Sequence, residues 1–385
     1  MKMLFINPHR SDFVYDSPAY SIINRKSLKK YRYLNTFFSQ NETEFYFITS
    51  SINRLLRFIK FSYLDSLFLK LEQSYFRRLN KLENNVFNFS NRDYYDVSFG
   101  FGFAIRDLNK SQFEHIVKIS GTLIIHLSHY HLFADKLNYW SSFNNVVFCA
   151  DADLSNNYFY QFYVNKTTPF FVLSYTIDNN KYKSYSNFDS RELGVISTGT
   201  FHEFEKMYSI NSLRNNIISG IWGYLTIHPE RRILYQYQNK LHYLHSFNSS
   251  MGKVSFLNLI KKNNSVNQTK YFSFDIVETF NKYKFSFIGE ESVTGLPAIG
   301  VYESILCGCI PIINDYCYNG TPLQYSSVPL RYNNINHLVF LISNLKVQSN
   351  LYKFDEVDFN DLRNSVATFF SDDYQISLLN QFLKN

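Results

Sequence analysis

The sequence is poor in cysteine and contains no long uninterrupted run of apolar residues. No segment of its 385 residues approaches the roughly 18 apolar residues that predict a membrane-spanning helix. The apolar run after Met1 is too short for a secretory signal, so we expect a cytoplasmic protein. The four cysteines, at positions 149, 307, 309 and 317, lack the spacing of the usual zinc sites, and we interpret them as structural thiols in a reducing compartment.

The chain also lacks a strong charge of either sign. Its net charge of +7 is mild for this length, and there is no dense stripe of Lys and Arg of the kind that nucleic-acid binders carry. We therefore predict no nucleic-acid partner, because phosphorylated ligands or an anionic membrane surface fit this charge better. A composition of 45% apolar and 18% charged residues predicts a folded globular protein, and the length favours two domains.

Short apolar strands alternate with helical patterns in the first half of the chain, which is typical of a parallel sheet with crossover helices. The predicted strands are Met3 to Ile6, Asp96 to Phe101, Thr122 to Leu127, Val146 to Cys149 and Phe170 to Leu173. Helical patterns occupy residues 53–82, 111–118 and 132–139. We therefore predict an α/β domain over residues 1–180.

The polar segment TIDNNKYKSYSNFDSRE follows and predicts an interdomain linker. A second series of strands is predicted at 193–196, 271–275, 284–288 and 310–313, so residues 190–360 should form a second α/β domain. Ser197 to Thr200 is predicted to be a turn that leads into a helix. The last helix, Asp361 to Leu383, has no strand after it, and we expect residues 361–385 to pack back on the first domain.

The segment GLPAIGVYESILCGCIPIIND, residues 295–315, places one charge inside an apolar helix. It predicts a glycine-proline loop, a helix from Ile299 to Leu306, a stop at Gly308 and a buried strand. Glu303 lies near the first turn of this helix, where the helix dipole favours a carboxylate and two ribose hydroxyls are able to donate to it. The alternative is a glutamate that caps the helix or forms an ion pair.

Residues 283–315 resemble the donor-binding signature of GT-B glycosyltransferases. They contain a Tyr-Lys-Phe strand, an acidic loop, a helix glutamate and a Gly-Cys-Ile-Pro strand, most similar to exostosin-like chains and also similar to fucosyltransferases. The resemblance implies two Rossmann-like domains facing a cleft. It also implies transfer of a sugar from a UDP- or GDP-linked donor to a glycan or lipid-linked acceptor, in surface polysaccharide or lipopolysaccharide biosynthesis.

The resemblance further implies particular site residues. Glu303 would bind the ribose, and Glu290 or Glu291 would lie near the donor sugar as catalytic candidates. The loop candidates for the phosphates and sugar are Gly289, Ser292 and Gly295. Two features depart from the families: Gly295 stands where the retaining enzymes place a first glutamate eight positions before the second, and the fucosyltransferase Thr-Glu-Lys is absent. Retaining and inverting chemistry therefore both stay open.

Cations and backbone amides are expected near the departing diphosphate, because charge builds there as the glycosidic bond breaks. Arg231, with its neighbour Arg232, and Lys253 are the predicted cations. A glycine at a strand end lets a phosphate approach the backbone, which makes the turn after Ile196 a second candidate. Its donor-binding residues would be Thr198, Gly199 and Thr200.

Histidines at strand ends supply further candidates in the first domain. His126, close to His129, lies where the resemblance implies a histidine in contact with the donor sugar. His9, with Asp12, follows the first strand, and either side chain is able to act as the base that deprotonates an acceptor hydroxyl in an inverting reaction. A histidine at a strand end is otherwise a buried polar residue with satisfied hydrogen bonds.

Other functional classes stay open. Asp151 and Asp153 form an Asp-x-Asp after an apolar strand, as in metal-dependent GT-A glycosyltransferases, although the GT-B interpretation predicts no metal or other cofactor. A non-catalytic glycan-binding protein is another alternative. The helical pattern at 53–82 has seven Lys and Arg against two acids, so it predicts either a peripheral contact with the inner membrane face or a solvated basic surface.

Overall fold

The computed structural model describes residues 1–10, 13–18, 21, 29–48, 62–82, 94–164, 167–199, 228–248, 274–351 and 355–384. The chain divides into two compact units. The first unit contains Met1–Asp151, Tyr160–Thr176 and Asp372–Asn385, and the second contains Ala152–Phe159 and Ile177–Ser371. Among the helices so described, none has the length and apolar character needed to cross a membrane.

The first unit is built on a six-stranded parallel sheet in the order β2-β1-β3-β4-β5-β6. Its strands are β1 Lys2–Ile6, β2 Glu42–Tyr46, β3 Tyr95–Phe101, β4 Ser120–His126, β5 Val146–Ala150 and β6 Phe170–Val172. Its helices are α1 Arg32–Ser39, α2 Ser62–Asn80, α3 Gly102–Ile105, α4 Lys110–Ile119, α5 Ala134–Trp140 and α13 Asp372–Lys384. Helix α6, Tyr158–Tyr163, begins in the second unit and ends in the first.

Aromatic side chains fill the core of this unit. The ring of Phe5 on β1 lies 4.9 Å from Phe38, 5.5 Å from Phe99 and 6.3 Å from Phe45, measured between centroids. These distances are in the range of favourable aromatic pairs. The many Phe and Tyr residues of the sequence therefore serve packing here, since four different elements meet around one ring.

The second unit has a five-stranded parallel sheet in the order β11-β10-β9-β7-β8. Its strands are β7 Glu192–Gly199, β8 Leu244–Asn248, β9 Tyr283–Ser286, β10 Ile310–Asn314 and β11 Leu330–Tyr332. Its helices are α7 Pro229–Tyr237, α8 Ile276–Lys282, α9 Ile299–Leu306, α10 Ile335–Ser343, α11 Leu345–Leu351 and α12 Glu356–Phe369. Side chains of Asp275, Asn334 and Asp355 cap α8, α10 and α12, accepting from backbone N–H groups of the first turns.

Both sheets share one doubly wound order. In each unit the first strand lies between the second and the third, and the remaining strands continue outward from the third. The prediction of an α/β protein with two Rossmann-like parallel-sheet units is therefore confirmed. The order reverses between β1 and β3 in the first unit and between β7 and β9 in the second.

Several sequence predictions were wrong in detail. The helix predicted over 361–383 is two helices, α12 and α13, and the second of these belongs to the first unit. Ser197 to Gly199 is not a turn, because these residues continue β7 and pair with β8. The strand predicted at 271–275 is wrong at its end, because Asp275 is the N-cap of α8. Residues 271–273 of this prediction lie outside the described residues. The helical pattern predicted over 53–82 corresponds to α2, and residues 53–61 of this pattern lie outside the described residues.

Candidate functional site

The carboxyl ends of β7 and β9 mark the point in the second unit where the strand order reverses. In doubly wound sheets, ligands bind beyond the carboxyl ends of the strands at such a point. The two strands pair directly, Val195 with Phe285 and Ile196 with Ser286, although β8 separates them in sequence. The loop that leaves β9, residues 287–298, is called the switch-point loop below. It lies within the segment that resembles the GT-B donor signature.

Glu290 is fully buried in the switch-point loop, and fixed donors reach both of its oxygens. Oε1 accepts from the backbone N–H of Asn314 at 3.1 Å and from the Tyr318 hydroxyl at 2.8 Å, while Oε2 accepts from the Tyr332 hydroxyl at 2.9 Å. Burial raises the pKa of this carboxyl, and the hydrogen bonds from Tyr318, Asn314 and Tyr332 oppose the rise. These contacts tie the loop to the ends of β10 and β11, so they give Glu290 a positioning role; its predicted catalytic role stays a prediction.

Arg231 holds the start of the same loop from α7. Its Nε and one terminal nitrogen donate to the carbonyl of Ile288 at 2.9 and 2.6 Å, and that nitrogen also reaches the carbonyl of Gly289 at 3.0 Å. Gly289 has φ of +76°, and a Cβ on it would lie 3.1 Å from the Cβ of Arg231. Glycine is required here for the backbone angle and for the approach of the arginine. The guanidinium thus binds backbone carbonyls, and its predicted contact with a diphosphate stays a prediction.

Two residues beside Arg231 also contact the loop, and sequence reasoning missed both. His228 Nδ1 lies 3.1 Å from the carbonyl of Glu290, and the hydroxyl of Ser292 donates to Oε2 of Glu230 at 3.1 Å. Burial raises the pKa of Glu230, and the nearby Glu290 charge adds to the rise. The start of α7 therefore brings a second half-buried carboxyl group to the edge of the switch-point loop.

The second half of the loop is a tight turn around Glu291 and Gly295. The N–H of Gly295 donates to the carbonyl of Glu291 at 2.8 Å, and the hydroxyl of Thr294 donates to the Glu291 carboxylate at 3.0 Å. Gly295 has φ of +73°, and a Cβ there would lie 2.7 Å from Nδ2 of Asn157, which itself donates to the carbonyl of Val293 at 3.1 Å. The predicted loop glycines are therefore both positions that need positive φ.

Helix α9 follows the loop with the bounds that the sequence predicts, Ile299–Leu306. The hydroxyls of Ser304 on α9 and Ser286 on β9 lie 2.7 Å apart and join the helix to the sheet. The helix ends at Gly308, whose φ is +92°. Beneath this end, buried Arg191 donates to the carbonyl of Cys307 at 2.7 Å, which satisfies one of the carbonyls that a helix terminus leaves unpaired.

Glu303 is half-buried on α9, and its carboxylate accepts a hydrogen bond from the hydroxyl of Tyr182. Burial raises the pKa of Tyr182, and the charge of Glu303 adds to this rise. Lys181 Nζ lies 3.2 Å from the same hydroxyl oxygen. Glu303 does not cap the helix, because Ala298 is the N-cap and no side chain caps the helix there. The other alternative, an ion pair of Glu303, stays a prediction. One donor to this carboxylate is thus a hydroxyl, which is also the chemical group that a ribose presents.

The remaining donor-binding predictions fall at β7 and beyond. Thr198 is buried and Gly199 ends β7, opposite Asn248 on β8. These residues reach the carboxyl end of the sheet at the reversal point as part of a strand. Thr200 and Lys253 lie outside the described residues, as does the side chain of Arg232.

In the first unit, His126 ends β4 and is fully buried with both ring nitrogens engaged. Nε2 lies 2.9 Å from the carbonyl of Leu173, and Nδ1 accepts from the N–H of Ser128 at 3.1 Å. This pairing fits a neutral ring protonated on Nε2. Burial lowers the pKa of His126, which favours the same neutral form. These contacts are those of a packed polar residue, so its contact with a donor sugar stays a prediction.

Asp151 and Asp153 have separate surroundings. Oδ1 of Asp151 accepts from the Tyr31 hydroxyl at 2.7 Å and lies 3.9 Å from Nε2 of His126. Oδ1 of Asp153 accepts from the N–H of Ser155 at 2.8 Å, a local turn contact. Burial raises the pKa of Asp151, and the His126 ring and the Tyr31 hydroxyl oppose the rise. The metal-dependent alternative for this pair stays a prediction.

His9, the predicted base, lies at the order reversal of the first unit. It is buried and stacks on Phe47 with ring centroids 4.7 Å apart. Asn7 fixes the loop before it: its side chain donates to the carbonyl of Ala104 at 3.1 Å and accepts from the N–H of Ile48 at 2.9 Å. His9 thus follows the carboxyl end of β1, and its ring is packed against Phe47. Asp12 lies outside the described residues.

No protein-family model matches the chain, and no curated protein matches it. Similar solved structures include Anabaena HepE in complex with UDP-glucose, which is 12% identical with a TM-score of 0.47 and covers 100% of this chain and 98% of that one. A glycosyltransferase from Rickettsia africae is 11% identical with a TM-score of 0.47, covering 100% and 97%. The sucrose-phosphate synthase of Thermosynechococcus elongatus is 10% identical with a TM-score of 0.47, covering 100% and 98%. Likeness at this level carries no residue roles to this chain.

Proposed function

We propose that this protein is a GT-B glycosyltransferase that moves a sugar from a nucleotide-diphosphate donor to a glycan or lipid-linked acceptor. One observation carries the proposal. The segment that resembles a donor-binding signature is the same segment that leaves β9 at the order reversal, where doubly wound sheets bind ligands. The motif comes from residue identity and the reversal point from strand pairing, so the two are independent.

Donor binding would use the loop and the helix that follows it. Two glycines with positive φ, Gly289 and Gly295, bend the loop so that its backbone is able to approach a phosphate. The N-terminal half of α9 would favour the negative charge of the diphosphate. Glu303 would exchange the hydroxyl of Tyr182 for ribose hydroxyls, because both are single O–H donors to a carboxylate.

The two loop acids would serve differently. Both oxygens of Glu290 are held by groups of β10, β11 and the chain between them, so it would support the loop. One carboxylate oxygen of Glu291 accepts from Thr294, a hydroxyl in the same turn that is able to rotate away. Because Glu290 is held on both oxygens, we assign the contact with a bound sugar to Glu291, the other acid of the loop.

Nucleotide binding tests this proposal. The melting temperature would be measured with UDP, GDP and CMP, with and without Mn²⁺, for the wild type, Glu303→Ala and the control Glu356→Ala, an exposed acid of α12. A ligand that binds only the folded state raises the melting temperature. We expect one nucleotide to do so without metal, in the wild type and the control but not in Glu303→Ala. No shift with any nucleotide would favour the glycan-binding alternative, and a shift that needs Mn²⁺ and is lost in Asp151→Ala would favour the GT-A alternative.

Helix α2 supports a lipid-linked acceptor. Leu67, Leu71 and Tyr75 recur every four residues and are 48%, 58% and 37% exposed, so they form one apolar stripe. Arg77 and Arg78 are exposed in the last turn of the same helix. An apolar stripe beside basic residues fits the surface of an anionic membrane. Sedimentation with phosphatidylglycerol vesicles should decrease in Leu71→Asp, and equal sedimentation of both proteins would contradict this placement.

A further inference from the structure

A cavity of about 280 Å³ lies in the second unit between α12, the end of α9 and the chain after β6. This volume is close to the lower end of small-molecule sites, about 300 Å³. Its wall is made of eight residues, and those with polar or charged side chains are Asn179, Tyr182, Lys183, Asn360, Arg363 and Asn364. Two are cations and three are amides, and none of the eight is an acid. The cavity wall is therefore positively charged, with apolar surface beside its polar groups.

Arg363 is the central feature of this wall. Its guanidinium is half-buried, and one terminal nitrogen donates to Oδ1 of Asn360 at 3.3 Å. Its Nε is shielded from solvent and has no hydrogen-bond partner among the described residues, and the ion pairs of those residues do not include Arg363. A half-buried cation without a counter-ion is unfavourable, because its lost hydration is not replaced.

An amide oxygen of the same cavity wall is in a similar state. Asn179 uses its side-chain nitrogen to donate to the carbonyl of Ala367 at 3.1 Å. Its Oδ1 is shielded from solvent and has no partner within the described ranges. An amide oxygen needs a donor such as a hydroxyl, whereas the guanidinium needs an anion. The acids Glu303 and Asp178 act on Tyr182, which also belongs to the wall.

We propose that this cavity is a second ligand site, separate from the switch-point loop, for a small anion that also carries hydroxyl groups, such as a sugar phosphate. Arg363 and Lys183 bind the anionic group, and Asn179 accepts from a hydroxyl. Tyr182 is the boundary between this cavity and Glu303, so the site lies beside the residue assigned to the ribose. The proposal does not depend on glycosyl transfer, because it rests on the cavity wall alone.

Isothermal titration calorimetry with glucose 6-phosphate, glucose and inorganic phosphate tests the site, with saturating UDP and GDP present to occupy any donor site. We expect glucose 6-phosphate to bind more tightly than phosphate or glucose. Arg363→Gln should weaken its binding by about tenfold or more, since hydrogen bonds to charged groups are among the stronger ones. Lys183→Gln should weaken it as well, and Lys346→Gln, an exposed lysine of α11 in the same unit, should leave it unchanged.

Three results would overturn the proposal: no saturable binding of glucose 6-phosphate, equal binding in wild type and both cavity variants, or phosphate alone binding as tightly as the sugar phosphate. Lys183 is exposed, so its substitution tests the site even where Arg363→Gln is poorly folded. Failure here is distinct from failure of the proposed function, because the binding of UDP and GDP is measured in separate titrations.

Discussion

Removing the buried carboxylate of Glu290 should destabilise the second unit far more than neutralising it. Glu290→Ala leaves three buried donors, the N–H of Asn314 and the hydroxyls of Tyr318 and Tyr332, without their acceptor. Each unsatisfied buried group costs about 1–3 kcal/mol, so the total loss should be about 3 kcal/mol or more. Glu290→Gln keeps an oxygen for Asn314 and Tyr318, and Tyr332 is able to accept from the new amide. Its loss should be about 1 kcal/mol or less.

The same pair of variants predicts a dependence on pH. Burial raises the pKa of Glu290 above its ordinary value of 4.5, so the folded state holds the proton more tightly than the unfolded state. The stabilisation from this proton is complete below the unfolded pKa and is lost as the pH rises through the folded pKa. Glutamine does not ionise. Glu290→Gln should therefore gain stability relative to the wild type as the pH rises from about 4.5 towards neutrality.

Hydrogen exchange of the β10 segment is the suitable assay, because a protein of two units need not unfold in one step. Exchange of residues 310–314 would be measured by mass spectrometry at several pH values, after correction for the intrinsic rate. Faster exchange in Glu290→Ala than in Glu290→Gln is expected at every pH. Equal protection in the two variants, or a Glu290→Gln difference that does not change with pH, would refute the reasoning.

Further substitutions test the turns and the hydrogen bonds of the site. Gly295→Ala should cost about 1–2 kcal/mol for its positive φ, and adding Asn157→Ala should recover the part due to the contact with Asn157, as read from thermal unfolding. Gly308→Ala should cost about 2 kcal/mol or more, because its Cβ would also displace Arg191; unfolding at the wild-type temperature would contradict this. Tyr332→Phe should destabilise the unit by about 1 kcal/mol or more at neutral pH and less at pH 4.5, since it removes one donor to Glu290, and a loss independent of pH would count against that pairing.

The part of the fold that sequence predicted well is the part with strong apolar patterns. The bounds of α9 follow from an apolar helix between a glycine-proline loop and Gly308, and β10 follows from a run of buried branched residues. In contrast, β8 and β11 were not predicted. β8 reads LHSFN, and β11 has three residues, so neither carries a clear alternation. Their pairing with β7 and β10 decides their structure.

The continuous helix predicted at the end of the chain shows a second limit. The apolar spacing of α12 and α13 is similar, and only two residues, Phe370 and Ser371, separate them. The break is set by tertiary contacts: the N–H of Ile177 donates to the carbonyl of Phe370 at 3.0 Å, and Asp372 forms an ion pair with Arg32 at 3.0 Å. Such partners lie far away in the sequence, so local periodicity does not indicate them.

The candidate site was predicted in its residue types better than in its contacts. Gly289, Gly295 and Glu303 came from the motif, and the structure shows why the two glycines are needed. The burial of Glu290 was not predictable, because it depends on tyrosines 28 and 42 residues further along the chain. Arg231 was read as a phosphate ligand, since a sequence shows a charge but not the carbonyls that it binds.

The most direct test of the account is the affinity of UDP and GDP for the wild type and for Glu303→Ala, measured by calorimetry without metal. The account predicts that one of the two nucleotides binds the wild type, and that loss of the carboxylate weakens this binding by about tenfold or more, as expected for charge-assisted hydrogen bonds to hydroxyls. Tyr182→Phe, which removes one hydroxyl that donates to this carboxylate, should bind the nucleotide at least as tightly as the wild type. Unchanged affinity in Glu303→Ala, or no binding of either nucleotide to the wild type, would contradict the assignment of α9 and the switch-point loop as the donor site.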